Sequence, residues 1–157
     1  MYAVDVGYGQ FDYQLRADPR VVVLERTNIR SLSFLPERPE ICTIDVSFIS
    51  LRIVVPAVAR LLDAHPDVVA LVKPQFEAGR ESVGRGVVRS PEVWRQVIED
   101  LTSGIAALGW QVAGLIVSPI KGAAGNVEFL VHLKRGPGEE PWEALLERAL
   151  AGARSLA

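Results

Sequence analysis

Four charged side chains stand where apolar, strand-like stretches of the chain begin or end, and their types suit acid–base or ligand-binding chemistry. Asp5 closes the first apolar run, Asp45 closes the run in TIDV, Lys73 closes VALVK, and Glu128 lies early in VEFLVHL. A buried charge needs a partner, so Asp45 and Lys73 are expected to pair. Burial disfavours the charged form of a lysine and a carboxylate favours it, so such a lysine can serve as a base or a fixed charge.

Asp5 precedes a glycine turn in MYAVDVGYGQ, where Gly7 and Gly9 follow it. Ligands of an open parallel sheet bind beyond the carboxyl ends of its strands. A carboxylate at that place can accept hydrogen bonds from both hydroxyls of a ribose. The same residue could instead begin a turn or cap a helix that starts at Tyr8. Position alone leaves both interpretations open.

The other three charges also have structural interpretations. Asp45 could cap a helix beginning near Ser50, although Ser47 and Ser50 are equally good caps. Lys73 could be a solvated loop residue. Glu128 interrupts a strand that is otherwise apolar or alternating, and an edge position or a half-solvated face would also accommodate it. The sequence does not choose between these alternatives.

Apolar runs alternate with helical patterns along most of the chain, which predicts an α/β fold with a mostly parallel sheet. The predicted strands are Tyr2–Val6, Val21–Leu24, Ile41–Val46, Val68–Val72, Val112–Val117 and Val127–Leu133. The predicted helices are Tyr8–Arg16, Leu51–Ala64, Pro91–Leu108 and a tail at Pro141–Leu156. Only SPIKGAAGN joins the last two strands, which is too short for a crossover helix, so this pair is expected to be antiparallel.

Composition narrows the class of protein. The 157 residues are 49% hydrophobic and 23% charged, which is typical of one soluble globular domain. Cys42 is the only cysteine and is interpreted as a core residue, and with two histidines no metal site is predicted. The net charge of −2 argues against a free-standing nucleic-acid binder. Without a signal peptide or a long apolar span, the expectation is a cytoplasmic protein that makes no membrane contact.

The longest irregular segment, Pro74–Arg89, is the candidate for substrate contacts, because long loops in compact domains are often functional. Arg80, Arg85 and Arg89 in this segment could hold phosphates, or they could be solvated surface residues. Motifs of other chemistries, namely G-x-S-x-G, the P-loop and G-x-G-x-x-G, do not occur in the chain.

Five segments together resemble one known family in their order and spacing. They are YAVDVGYGQ, VVVLERTNIR, TIDVSFISL, LVKPQFEAGRE and GNVEFL. This set resembles the TlyA family of hemolysin-like ribosomal RNA methyltransferases, within the FtsJ-like ribose 2′-O-methyltransferases. The resemblance implies a Rossmann-like class I methyltransferase sheet, S-adenosylmethionine as the cofactor, and ribosomal RNA or ribosomal subunits as the partner.

The resemblance also implies catalytic roles. The family uses a Lys-Asp-Lys-Glu tetrad, and its last three members correspond to Asp45, Lys73 and Glu128. Lys73 would then assist deprotonation of a ribose 2′-hydroxyl while the two acids position and tune it, and the oxygen would attack the sulfonium methyl in line. Orientation would supply much of the rate, since the methyl donor is already activated.

Binding roles follow from the same resemblance. Asp5 would bind the ribose of the cofactor, Asn28 would lie near its adenine, and Asp45 would also belong to the cofactor site. Phe48 would lie beside the incoming nucleotide.

Three family features would precede Met1: an S4-like RNA-binding domain, the first lysine of the tetrad, and the first sheet strand with its glycine-rich turn. Residues 1–157 are therefore interpreted as a single, partial methyltransferase domain. In the family's sheet the first strand lies between the strands that end at Asp5 and Asp45, so its absence exposes two inner edges or forces them to pair. Impaired activity and a homo-oligomer through these edges are expected.

The alternatives to an enzyme are a non-catalytic module and a pore-forming hemolysin. A non-catalytic remnant or interaction module would keep the sheet but would neither bind the cofactor nor transfer a methyl group. A pore-forming hemolysin is suggested only by the family's name, and the lack of a membrane segment argues against it.

Overall fold

A computed structural model of the chain describes residues 1–79, 83, 86–136 and 138–156. All six strands predicted from the sequence are present: β1 (Tyr2–Val4), β2 (Val22–Leu24), β3 (Ile41–Ile44), β4 (Asp67–Val72), β5 (Gln111–Val117) and β6 (Phe129–Lys134). The helices are α1 (Tyr13–Ala17), α2 (Leu51–Ala59), α3 (Pro74–Glu77), α4 (Pro91–Ala106) and α5 (Trp142–Leu156). Among the described residues, short 3₁₀ turns lie at Ile29–Ser31 and Ala123–Gly125.

The strands form two separate sheets. β1 and β2 pair in parallel, and the larger sheet has the order β3-β4-β6-β5. β3 and β4 are parallel, whereas β6 is antiparallel to both of its neighbours. The predicted antiparallel pairing of the last two strands is confirmed. Because β6 lies inside the sheet, the interpretation of Glu128 as an edge-strand residue is wrong.

The larger sheet and three helices share one hydrophobic core. α4 begins as its sequence predicts, with the Ser90 hydroxyl accepting a hydrogen bond from Val93 N and Pro91 in the first helical position. One face of the helix buries Trp94, Ile98 and Leu101, because these residues recur at helical spacing. The helices α2 and α5 bury apolar faces of the same kind.

Two predicted helices are shorter than the sequence pattern indicated. The helix predicted at Tyr8–Arg16 begins only at Tyr13, because Gly9 has a φ of 71° and Asp12 caps the helix through its hydrogen bond from Gln14 N. The helix predicted to end at Ala64 ends at Ala59, where the chain turns. Leu61 and Leu62 remain buried beyond that point, so the apolar pattern continues after the helix has ended.

A slot separates β1 from β3. Among the described residues β1 pairs only with β2 and β3 only with β4, so their facing edges stay unpaired. Of the two outcomes expected for these edges, the structure shows the exposed one. Two cavities occupy the slot, and both are lined by residues of the two edges, including Tyr2, Val4, Cys42 and Thr43.

Candidate active site

The sheet brings three strand ends to one place. In the ladder between β4 and β6 Val72 lies opposite Phe129, so the next step of the register brings Lys73 level with Glu128. The parallel pairing of β3 with β4 puts the carboxyl end of β3 at the same edge. Residues far apart in the sequence thus meet because β6 runs antiparallel and contributes its beginning to the edge where β3 and β4 end.

Lys73 forms the pair that the sequence predicted. Its Nζ lies 2.7 Å from Asp45 Oδ1 and donates a hydrogen bond of 3.1 Å to Ser47 Oγ. The Lys73 side chain is 14% exposed and that of Asp45 is 70% exposed, so the solvated-lysine interpretation is wrong. Asp45 does not cap α2 either, because Ser50 takes that place. The ammonium is held at the surface end of a buried strand, with one acid facing solvent beside it.

Glu128 is a buried acid at this edge. The residue is only 6% exposed, which also argues against the half-solvated face considered from its sequence. Its Oε1 accepts a hydrogen bond of 3.1 Å from Gln75 Nε2, and its backbone oxygen accepts one of 2.8 Å from Ser118 N. A carboxylate so far from water depends on a donor such as the Gln75 amide for stability.

Asp5 and Asn28 lie on the other side of the slot and both cap local turns. Asp5 Oδ1 accepts a hydrogen bond of 2.6 Å from Gly7 N, and Asn28 Oδ1 accepts one of 3.0 Å from Arg30 N at the start of a 3₁₀ turn. The turn interpretation of Asp5 is therefore confirmed, while the helix-capping one is wrong. Each carboxylate or amide oxygen has further acceptor capacity, so a turn role leaves room for a ligand hydroxyl.

One cavity joins these residues to Asp45. Its volume is about 590 Å³, which falls in the range of small-molecule sites. Polar side chains of both edges line it together with apolar ones, among them Asp5, Asn28, Asp45, Ile29 and Val46. This mixture suits an adenosine, whose ribose offers hydroxyl donors and whose base offers an apolar face. The residues present therefore fit the nucleoside part of S-adenosylmethionine.

Phe48 stands at the mouth of the site in a strained conformation. Its φ is 62°, a value that non-glycine residues seldom adopt, and the residue is 90% exposed. Its ring lies 4.7 Å from that of Phe76, with the two planes inclined by 48°. Backbone strain that presents an aromatic ring to solvent is more typical of a binding site than of a structural element.

The three candidate phosphate-binding arginines are only partly placed. Arg80 and Arg85 lie outside the described residues. Arg89 is exposed and lies between buried Val88 and the cap of α4. The backbone beside it is fixed, because the Asn126 side chain accepts a hydrogen bond of 3.0 Å from Val88 N.

Sequence reasoning missed three groups in the site: the Ser47 hydroxyl, the Gln75 amide and the backbone of Gly122. A Cβ placed on Gly122 would lie 2.0 Å from Glu128 Oε1, so this glycine leaves the space that the carboxylate fills. Ser47 and Gln75 belong to the recognisable segments TIDVSFISL and LVKPQFEAGRE, and each lies two residues after a charged residue of the site, Asp45 or Lys73. Their presence in those segments was the sequence signal that could have identified them as site residues.

Within the part of the chain that the structure describes, no helix has the length and apolarity needed to cross a membrane.

Comparison with known proteins identifies the family of the chain. The family model described as FtsJ-like methyltransferase matches residues 1–135. A Bacillus subtilis protein named "Putative rRNA methyltransferase YqxC" is 55% identical over 142 residues, which are 88% of this chain and 50% of that protein. The 16S/23S rRNA (cytidine-2′-O)-methyltransferase TlyA of Mycobacterium tuberculosis is 45% identical over 137 residues, which are 84% of this chain and 50% of the relative.

A solved structure shows that the fold is shared as well. "Putative hemolysin from Streptococcus thermophilus" superposes with a TM-score of 0.92 at 42% identity, covering 99% of this chain and 58% of the other. The chain spans about half the length of the curated relatives it matches. The match over residues 1–135, together with these identities, shows that the chain belongs to the FtsJ-like methyltransferase family.

Proposed function

We propose that this chain carries the catalytic site of a cytoplasmic enzyme that methylates a ribose 2′-hydroxyl of ribosomal RNA. The observation that carries the proposal is the convergence of Asp45, Lys73 and Glu128 at one sheet edge, with Lys73 Nζ 2.7 Å from Asp45 Oδ1. Names of relatives support the substrate class, since TlyA of Mycobacterium tuberculosis is named for 2′-O-methylation of cytidine in 16S and 23S rRNA.

The chemistry assigned to these residues is electrostatic and positional. Lys73 would stabilise the charge that develops on the ribose 2′-oxygen as the hydroxyl loses its proton. Asp45 and Ser47 hold the Lys73 ammonium in one place, which fixes where that stabilisation acts. Glu128 would add a second acid beside the reacting group. The exposed ring of Phe48 would stack on a base of the RNA, as aromatic side chains do with unpaired bases.

Asp5, Asn28 and Asp45 would hold the nucleoside part of S-adenosylmethionine in the cavity that they line. When bound, this group supplies a methyl activated by a positively charged sulfur. Arg80, Arg85 and Arg89 would contact phosphates of the RNA backbone, which fix register without reading sequence.

The test is cofactor binding together with methyl transfer by the purified chain. Titration calorimetry with S-adenosylmethionine should give a saturable heat, and labelled methyl should reach ribosomal subunits from a strain that lacks the modification. The Lys73→Met variant should bind the cofactor and lose transfer. Absence of both activities from the wild-type chain would favour the non-catalytic module instead.

We further propose that residues 1–157 are one partial methyltransferase domain and that the slot between β1 and β3 takes an additional strand. The two unpaired edges and the cavities between them support this, since inner strand edges are normally paired. The activity of the chain alone would then be impaired. A second copy could instead pair with the edges, and analytical ultracentrifugation decides between a concentration-dependent dimer and a monomer.

A further inference from the structure

Gln75 is the side-chain donor that the structure gives to the Glu128 carboxylate. Gln75 sits in the first turn of α3, two residues after Lys73, and its Nε2 donates the hydrogen bond of 3.1 Å to Glu128 Oε1. Exchanging the amide's oxygen and nitrogen would set two acceptors against each other. The orientation in which the amide N–H donates to a carboxyl oxygen of Glu128 is therefore the one adopted.

Gly122 also lies directly against the carboxylate of Glu128. A Cβ on this residue would lie 2.0 Å from Glu128 Oε1 and 2.3 Å from Cδ, closer than any real contact. Gly122 has a φ of −76°, so glycine is needed there for space rather than for its backbone conformation. Its N–H donates a hydrogen bond of 2.8 Å to Asn126 O, which fixes the backbone against which the carboxylate rests.

The amide of Gln75 is poorly explained by stability alone. Its Oε1 is buried and has no hydrogen-bond partner among the described residues. An unmet buried acceptor destabilises the folded state, so such a group in a native structure calls for another explanation. Lys73 Nζ is bonded to Asp45 and Ser47, so it is the Gln75 amide that donates a hydrogen bond to Glu128.

We propose that Gln75 is a positioning residue that, with Gly122 against the carboxylate, fixes the orientation of Glu128 in the active site. The inference rests on the proposed methyltransferase function for its effect on rate, but the orientation itself is a structural claim. Misplacing a catalytic group by about 1 Å lowers rates by about 100-fold. We therefore expect a loss of that order when either support of the carboxylate is altered.

The experiment compares Gln75→Met and Gly122→Ala with wild type by methyl transfer and by crystal structure. Gln75→Met keeps the length of the side chain and removes the donor, whereas Gly122→Ala puts a methyl group into the space that the carboxylate fills. Both should lower kcat, and both crystal structures should show Glu128 Oε1 moved from its wild-type position. Gly104→Ala is the matched control, because a Cβ there meets only the Arg52 side chain at 3.5 Å.

A double-mutant cycle separates positioning from a general structural effect. If Gln75 acts through Glu128, Gln75→Met should have no further effect on kcat in a Glu128→Gln background. An equal loss in both backgrounds, with Glu128 unmoved in the crystals, would overturn the inference. If the wild-type chain neither binds S-adenosylmethionine nor transfers a methyl group, the proposed function fails by itself. The position of Glu128 in the Gln75→Met crystal then still decides whether the amide orients it.

Discussion

Glu77 of α3 caps the beginning of helix α2. Its Oε2 accepts a hydrogen bond of 2.6 Å from the Ser50 hydroxyl, and its Oε1 accepts one of 2.7 Å from Leu51 N. The two recognisable segments TIDVSFISL and LVKPQFEAGRE are thereby joined directly. Phe48 and Phe76, whose rings contact each other, lie next to this link in the sequence.

Glu77→Ala should destabilise the protein by about 1–3 kcal/mol, because it removes a charged cap and leaves a buried backbone N–H without its acceptor. Glu77→Gln is the matched control, since it keeps the shape and one acceptor and should cost less. Urea unfolding followed by circular dichroism measures both. Equal stability of Glu77→Ala and wild type would contradict the capping role.

The sequence predicted all six strands and the pair formed by Asp45 and Lys73, because apolar runs and a charge ending a run are local patterns. It could not supply the cap from Glu77 to α2, which depends on how α3 lies against a helix more than 20 residues earlier in the chain. Nor could it decide the burial of Glu128. The burial of Glu128 depends on the position of β6 between β4 and β5. This strand order cannot be predicted from the alternation of residues within one strand.

Lys73→Met should lower methyl transfer by at least about 10²-fold, a magnitude typical of groups that act on a reacting proton or its charge. Cofactor affinity should stay close to wild type, because the nucleoside site is formed by other residues. Lys134→Met is the control, since Lys134 pairs with Asp67 at the opposite end of the sheet. Single-turnover assays with labelled methyl groups give the rates. Full activity in Lys73→Met would remove this lysine from the mechanism.

Phe48→Gly should raise stability or leave it unchanged while weakening RNA binding. Glycine adopts the φ of 62° without strain, and the ring that is lost is 90% exposed. Loss of one stacked base should cost about 1–3 kcal/mol of binding. Thermal unfolding and fluorescence anisotropy with an RNA oligonucleotide measure the two effects.

Phe34→Ala is the control for Phe48, because Phe34 is also exposed, at 72%, but does not line the candidate site. If both variants weaken RNA binding equally, a general loss of surface hydrophobicity explains the effect. A loss of stability in Phe48→Gly would show that the φ of 62° at Phe48 does not strain the folded protein.

Cys42 should report on the slot between β1 and β3. It is the only cysteine and lines both cavities of the slot, and burial raises the pKa of its thiol to about 11. At pH 8 only about one thiol in a thousand is ionised, so alkylation should be slow and should accelerate with rising pH. A β-strand peptide that is added and binds in the slot should slow labelling further. Mass spectrometry after iodoacetamide treatment measures it, and an unchanged rate in the presence of the added strand would contradict the slot's role.

Asp67 should make the protein less stable in acid. Its hydrogen bond from His132, with Lys134 adding a second interaction, holds the pKa of Asp67 below the usual 3.8. Because the pKa is lowered in the folded state, this contribution to stability is present above pH 3.8 and is lost as the pH falls through the lower, folded value. Asp67→Asn should therefore flatten the fall of the free energy of unfolding below pH 4. The comparison is made by urea unfolding across that pH range at constant salt. Parallel curves for the variant and wild type would show that the pair contributes nothing to acid sensitivity.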